Sequence, residues 1–170
     1  MTIYTVGYEG CDIDEFVEGL IKNKIKRIID IRRNPVSRKK GFSKNKLAAE
    51  LKEAGIEYTY LGKELGVPSA WRKAAKEHLI TRKKMFNDYK TKILPKHPKE
   101  VAEVITLSQK RGRSALLCYE NEATDCHRHY LTEKIKKQLP TTKVIDINVL
   151  PKIKSLGLSK SPKTSSTLDL

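Results

Sequence analysis

The stretch KRIIDIR, from Lys26 to Arg32, decides the fold class. Apolar side chains occupy both faces of this run, which is typical of a strand buried on both sides within a parallel sheet. Asn34 and Pro35 follow it and end the strand. Because parallel neighbours are joined by crossover helices, this strand predicts a sheet covered by helices.

The rest of the chain repeats this alternation of strands and helices. Four further strands are predicted at 3–8, 56–62, 114–120 and 143–149. Helices are predicted after Asp12, whose spacing to Glu15 is typical of a capping box, after Ser43, at about 99–110 and at 126–138. The sequence therefore predicts an α/β three-layer sandwich with a mainly parallel central sheet of about five strands.

Length and composition divide the chain into two parts. Residues 1–150 are predicted to form a single α/β domain, in which the polar helical pattern of residues 68–92 is a helical insertion or lid. Residues 151–170 are rich in Ser, Lys and Pro, and they are predicted to form a mobile basic tail.

Location is predicted from the amino-terminal residues and the cysteines. The chain starts without the basic and apolar regions of a signal peptide, and no run of about 18 apolar residues could span a membrane. Three cysteines form an odd set, which indicates reduced thiols. We therefore expect a cytoplasmic protein without membrane association, and the sequence does not define its oligomeric state.

The net charge suggests a partner. A formal charge of +15, from 35 basic and 20 acidic residues, is typical of proteins that bind polyanions. The expected partner is nucleic acid or a phosphorylated small molecule. A composition rich in Lys and Glu is also typical of heat-adapted proteins, so both interpretations stay open.

Polar side chains gather where the predicted strands end. In open parallel sheets, ligands bind outside the carboxyl ends of the strands. The candidates at this edge are Tyr8, Asp30, Arg32, Arg33, Glu120, Cys126, His127 and Arg128. Their convergence from distant parts of the sequence predicts a functional site at the carboxyl edge of the sheet.

Three of these residues are candidates for catalysis: Glu120, Cys126 and Asp30. Glu120 shares a strand face with Cys118 and extends beyond the sheet edge. Cys126 is expected in the first turn of a helix capped by Thr124 or Asp125, where the helix dipole favours a thiolate. The alternative is that Cys126 is a small buried residue and that Arg128 pairs with Glu120 or Glu9 and only joins strand to helix.

The remaining candidates are expected to bind substrate phosphate: Arg32, Arg33, Arg128, His127 and Tyr8. Strand alternation puts Arg32 on the face of Asp30, so Arg32 is predicted to be buried and paired with a carboxylate, and Arg33 to be exposed and to face phosphate. Arg128 is expected to pair with a carboxylate in the same cleft as Asp30 and Arg32.

Cys118, Cys126 and His127 are good zinc ligand types. Their spacing argues against a metal site, because adjacent residues on a helix point about 100° apart. We therefore expect neither a metal nor another cofactor.

Four motifs in order resemble domain of unknown function family 488: VGYEG (6–10), IIDIRRNPVSRKKGFS (28–43), IEYTYLGKELG (56–66) and LLCYENEATDCHRHYL (116–131). The resemblance runs from Ile3 to Val149 and implies an α/β domain with enzymatic activity but no settled reaction. The family pattern matches Asp30, Arg32, Arg33, Leu65, Gly66, Glu120, Cys126, His127 and Arg128. Cys11 departs from it and is not a catalytic candidate.

Three functions follow from these observations. The first is an enzyme acting on a nucleotide or nucleic-acid substrate at the carboxyl edge of the sheet. The second is a non-catalytic nucleic-acid-binding protein. The third is a thiol-based small-molecule sulfur-transfer or redox enzyme that uses Cys126, with Cys118 as resolving thiol. The sequence leaves enzymatic activity open.

Overall fold

The computed structural model describes residues 1–149, and the predicted tail at 151–170 lies outside the described residues. Five strands form one sheet in which every pair is parallel, in the order β3-β2-β4-β1-β5. The strands are β1 (Thr2–Gly7), β2 (Ile25–Asp30), β3 (Glu57–Tyr60), β4 (Arg113–Cys118) and β5 (Lys143–Ile147). The predicted α/β class is confirmed, and the sheet is parallel throughout.

Helices alternate with the strands along the chain. They are α1 (Ile13–Lys22), α2 (Lys44–Glu53), α3 (Gly62–Leu65), α4 (Ser69–Lys76), α5 (Arg82–Asp88), α6 (Pro98–Gln109) and α7 (His127–Gln138). The capping box predicted for α1 is confirmed, because the Asp12 carboxylate accepts from the Glu15 backbone N–H at 2.8 Å and the Glu15 carboxylate accepts from the Asp12 backbone N–H at 2.9 Å. Ser43 occupies the N-cap of α2, although its side chain makes no capping hydrogen bond.

The helices cover both faces of the sheet. On one face, α1 and α2 contribute side chains such as Phe16 and Leu47 to a core with Ile28 of the sheet. On the other face, α6 and α7 contribute side chains such as Val104 and Leu131 to a second core. The apolar residues of β2 supply both cores, which is why KRIIDIR is apolar on both faces.

The order of the strands creates a crevice at the end of β4. The connections after β1 and β2 lead toward the β3 edge, whereas those after β3 and β4 lead toward the β5 edge. Strand β4 lies between β1 and β2. The helices that follow β1 and β2 pack on one face of the sheet, whereas the helix that follows β4 packs on the other face. Where neighbouring connections diverge in this way, the carboxyl ends of the strands leave room for a ligand.

The predicted insertion at 68–92 contains α4, α5 and the start of a π-helix at Tyr89–Ile93. Met85, Phe86 and Tyr89 are buried in the core on the α6 and α7 side, and Trp71 packs against that core. The segment thus covers one end of this face, while its action as a lid stays a prediction. Within residues 1–149, no helix is both long and apolar enough to cross a membrane.

Candidate functional site

Two groups of polar side chains lie at the carboxyl edge of the sheet, one on each face. On the α1 and α2 side, Asp30 and Arg32 form what we call the arginine-aspartate pair. On the α6 and α7 side, Cys118, Cys126 and His127 form what we call the sulfur cluster.

The arginine-aspartate pair is buried and fully hydrogen-bonded. Arg32 donates to both carboxylate oxygens of Asp30, from Nε at 2.9 Å and from Nη2 at 2.6 Å. Its Nη1 donates to the Tyr8 hydroxyl at 3.0 Å and to the Phe42 carbonyl at 2.8 Å. The prediction that Arg32 is the buried, carboxylate-paired member of the double arginine is confirmed, since Arg32 is 5% and Asp30 0% exposed.

The electrostatics of the pair also favour the charged form of Arg32. Burial alone would lower the pKa of Arg32, but the hydrogen bond and the charge of Asp30 outweigh burial and raise it. Tyr58 donates from its hydroxyl to Asp30 Oδ2 at 2.7 Å, and burial followed by the charge of Asp30 raises the pKa of this tyrosine. The pair therefore anchors the loop after β2.

The sulfur cluster joins the end of β4 to the start of α7. The Nδ1 atom of His127 lies 3.5 Å from Cys118 Sγ and 3.7 Å from Cys126 Sγ. On its other side, Nε2 of His127 donates to the Ile31 carbonyl at 2.9 Å, because a carbonyl oxygen can only accept. All three side chains of the cluster are buried.

Cys126 is not in the first turn of α7, as predicted, but at its N-cap, with extended φ and ψ angles of −132° and 149°. Thr124 and Asp125, the expected caps, belong to a preceding 3₁₀ turn. The angle of 100° between adjacent helical residues does not apply to an N-cap. The geometric reason given against a metal site is therefore wrong: the ligand atoms of the three residues lie within 4.8 Å of one another.

The expected low pKa of Cys126 is also wrong. Burial raises its pKa well above the ordinary value, and the neighbouring Cys118 raises it further. Burial acts to raise the pKa of Cys118 as well, but hydrogen bonding from Cys126 and the charges of His127 and Arg72 outweigh burial and lower it. Of the two thiols, Cys118 is therefore the one that loses its proton more readily.

Glu120 and Arg72 separate the sulfur cluster from solvent. Glu120 Oε2 lies 3.0 Å from Cys118 Sγ, and burial followed by the charge of Cys118 raises the pKa of this carboxyl. Arg72 Nη2 lies 3.8 Å from Glu120 Oε1 and 3.9 Å from Cys118 Sγ. The sequence interpretation missed Arg72 as a site residue, because α4 carries several cations and its composition does not show which of them faces the site.

Arg128 braces the loop after β4, and within residues 1–149 it forms no ion pair with a carboxylate, contrary to the prediction. Its guanidinium donates to the backbone carbonyls of Glu120 and Asn121, the latter at 2.6 Å, and to the Thr5 hydroxyl at 3.2 Å. The loop brings these carbonyls inward by crossing Gly7 closely. A Cβ atom at Gly7 would lie 1.8 Å from the Glu120 carbonyl oxygen.

A cavity of about 370 Å³, which we call the basic cleft, opens beside these groups. Its lining includes Tyr8, Tyr119 and five cationic side chains, Arg32, Arg33, Arg38, Lys39 and Arg72. Among the described residues, no Asp or Glu side chain lines it. Arg33 is exposed, as predicted, and its guanidinium donates to the Lys63 carbonyl.

The expected single cleft is therefore wrong. Tyr8, Arg32 and Arg33 line the basic cleft, whereas Cys126, His127 and Arg128 are buried on the other face of the sheet. Glu120 lines a second cavity of about 360 Å³, which also contains Arg72, Arg82 and Phe86. Arg72 belongs to both cavities and is the residue that connects them.

The parallel sheet, the basic cleft at its carboxyl edge and the buried sulfur cluster define an α/β protein with a cationic cavity at the strand ends. The chain belongs to the family described as domain of unknown function DUF488, whose model matches residues 12–135. The match confirms the resemblance and contains three of the four motifs, since VGYEG precedes it. Comparisons with curated proteins and with solved structures gave no match.

Proposed function

We propose that this protein is an enzyme that acts on a phosphate-bearing substrate, a nucleotide or nucleic acid, bound in the basic cleft. The observation that carries the proposal is the position of Arg72. This residue lines the cleft and also lies 3.8 Å from Glu120. A phosphate held by Arg72 would therefore lie beside a carboxyl group that can act as acid or base.

The charge of the cleft supports an anionic substrate. Of the five cations in the lining, Arg32 pairs with Asp30 and Arg72 lies 3.8 Å from Glu120, whereas Arg33, Arg38 and Lys39 remain to attract phosphate. Arg32 is not assigned to phosphate contact, because its guanidinium N–H groups already donate to Asp30, Tyr8 and Phe42. The residues assigned to phosphate contact are Arg33, Arg38 and Lys39. The overall charge of +15 would steer a polyanion toward this surface.

The aromatic residues of the cleft support a nucleotide over inorganic phosphate. Tyr119 is 43% exposed and meets Tyr8 edge to face at 5.2 Å. Tyr8 is in turn stacked on Phe42 at 4.2 Å, so the rim of the cleft is rigid. An exposed, supported aromatic ring beside arginines is the arrangement on which bases stack.

The three catalytic candidates receive different roles in this proposal. Glu120 is the candidate acid or base, because it lines the second cavity and lies 3.8 Å from Arg72, which lines both cavities. Asp30 is a positioning residue, since both of its carboxylate oxygens are held by Arg32. Cys126 is buried behind Glu120 and Arg72 and has no direct contact with substrate.

Binding can be tested with fluorescently labelled single-stranded DNA and RNA over a range of salt concentrations. The affinity should fall steeply with salt, because bound phosphates release counterions. Replacing Arg38 with Ala should lower the slope of log affinity against log salt by about 1. Arg111→Ala is the matched control, since Arg111 is exposed at the opposite edge of the sheet. Equal effects of the two variants would contradict the assignment of the cleft.

Turnover can be tested by product analysis after incubation with nucleoside triphosphates and short oligonucleotides. Glu120→Gln should abolish turnover and keep binding, whereas Glu122→Gln, an exposed glutamate of the same loop, should change neither. Salt-dependent binding without turnover of any of these substrates would favour the alternative of a non-catalytic nucleic-acid-binding protein.

A thiol-based sulfur-transfer or redox enzyme is the second candidate, and the observation in its favour is the proximity of Cys118 and Cys126. Free cysteines also support the cytoplasmic location that we propose. Mild peroxide should join the two thiols in a redox enzyme, with peroxide as the oxidant. If peptide mass spectrometry finds both thiols reduced, the redox version is excluded.

A further inference from the structure

We propose that Cys118, Cys126 and His127 form a binding site for a divalent zinc ion. The proposal rests on the geometry of the sulfur cluster and does not depend on the function proposed for the basic cleft. Two cysteine sulfurs and one imidazole nitrogen are among the preferred ligands of zinc, and three protein ligands are typical of zinc sites that keep one open position.

The distances fit tetrahedral coordination. With ordinary zinc-sulfur and zinc-nitrogen bonds, a sulfur and a nitrogen bound to the same zinc ion lie about 3.6 Å apart. The observed distances from His127 Nδ1 are 3.5 Å to Cys118 Sγ and 3.7 Å to Cys126 Sγ. The sulfur cluster therefore needs little rearrangement to hold the ion.

Both sulfur atoms of the cluster converge on one nitrogen atom. Cys118 Sγ and Cys126 Sγ approach the same Nδ1 atom of His127 at almost equal distances, 3.5 and 3.7 Å. Convergence of two sulfurs and one imidazole nitrogen is the arrangement that a shared zinc ion requires.

The surroundings of His127 are those of a metal-binding imidazole. Its Nε2 donates to the Ile31 carbonyl at 2.9 Å, which directs Nδ1 toward the two sulfurs. Zinc-ligating histidines almost always donate their second nitrogen to a carbonyl, a carboxylate or a water molecule. The ring of Tyr89 also meets the imidazole edge to face at 5.4 Å and fixes its orientation.

Glu120 lies where it can supply a fourth ligand, because its carboxylate oxygen is 3.0 Å from Cys118 Sγ. Binding would release the thiol protons to solvent, because zinc is held by thiolates and by neutral imidazole.

The full chain, purified with reductant and freed of metal by a chelator, can be titrated with Co²⁺. We expect a thiolate-to-cobalt charge-transfer band and the visible bands of tetrahedral cobalt, both saturating at one Co²⁺ per chain. Addition of Zn²⁺ should remove these bands. The absence of a saturable band in the folded protein would overturn the proposal.

Cysteine variants locate the site. Cys126→Ser should weaken Co²⁺ binding by at least about a hundredfold, since even outer-shell partners typically contribute 10–100-fold. Cys11→Ser is the matched control, because Cys11 is also buried but packs in the core on the α1 and α2 side. Unchanged binding in Cys126→Ser, or equal loss in both variants, would overturn the assignment.

A labelling experiment covers the case in which Cys126→Ser does not fold. In the wild-type protein, Zn²⁺ should slow alkylation of Cys118 and Cys126 at least about tenfold, a factor that corresponds to roughly 1.4 kcal/mol of stabilisation of the closed site. Alkylation of Cys11 should remain at its metal-free rate. Peptide mass spectrometry that finds equal rates with and without Zn²⁺ at Cys118 and Cys126 would refute the site.

Discussion

Replacement of Arg32 by Ala removes the cation of the arginine-aspartate pair and leaves its carboxylate behind. Asp30 is fully buried, and it would lose two hydrogen bonds from the guanidinium. The Phe42 carbonyl would lose its donor from Arg32 as well. Removing one partner of a buried ion pair costs about 3–5 kcal/mol, because the remaining charge is no longer compensated.

The structure places the expected cost at the lower end of this range. Asp30 would keep the Tyr58 hydroxyl at 2.7 Å and the backbone N–H of residue 32 at 3.0 Å. We therefore expect Arg32→Ala to lower the free energy of unfolding by about 3 kcal/mol. Replacing both members, as Asp30→Asn with Arg32→Met, should cost less, because no buried charge then remains.

Urea unfolding followed by circular dichroism measures this cost. With a slope of about 2 kcal/mol per molar urea, a loss of 3 kcal/mol lowers the midpoint by about 1.5 M. Arg33→Ala is the matched control, since Arg33 is exposed, and a change at an exposed position should stay within about 0.5 kcal/mol. Equal midpoints for the two single variants would refute the role of the pair as an anchor.

Three further predictions concern the loop after β4 and the rim of the cleft. Gly7→Ala should lower stability in urea by about 1–3 kcal/mol, since its new Cβ would meet the Glu120 carbonyl, and an unchanged midpoint would show that the loop yields freely. Arg128→Met should speed amide hydrogen exchange around Asn121, because two carbonyls of the loop lose their donor, and unchanged protection there would contradict the brace. Tyr119→Leu should weaken single-stranded DNA binding by about 1–3 kcal/mol, measured by fluorescence anisotropy, because the variant loses a ring on which a base can stack. The dependence of affinity on salt should not change, since no charge is removed, and a changed dependence would contradict this role.

Features with a local cause could be predicted from the sequence. The period of two along a strand places Asp30 and Arg32 on one face, and the structure pairs them there. The capping box of α1 is equally local, because both partners lie within one helical turn. The apolar faces of KRIIDIR predicted burial on both sides, and both cores contain residues of this strand.

Two kinds of feature could not be predicted: those that change when a helix starts one residue earlier or later, and those that depend on a side chain from another segment. Helix α7 starts one residue later than expected, and this shift moves Cys126 out of the helix and beside His127 Nδ1. The boundary of a helix is poorly defined by sequence, since several polar residues can serve as its cap. Arg72 reaches the site from α4, a helix whose polar composition does not reveal which of its cations faces inward.

The strand-end motifs alone do not reveal the chemistry of the site, because the strands on either side of β4 also contribute backbone atoms to it. Strand β4 lies between β2 and β1, and each neighbour supplies a backbone feature to the loop that follows it. The Ile31 carbonyl, just beyond β2, fixes the orientation of His127, while Gly7 at the end of β1 lets the Glu120 carbonyl approach closely. A carbonyl is present in every residue, and a glycine is also compatible with a turn, so neither feature is visible as a motif. The reactive groups can be named from the sequence, but which of their atoms meet depends on the strand order.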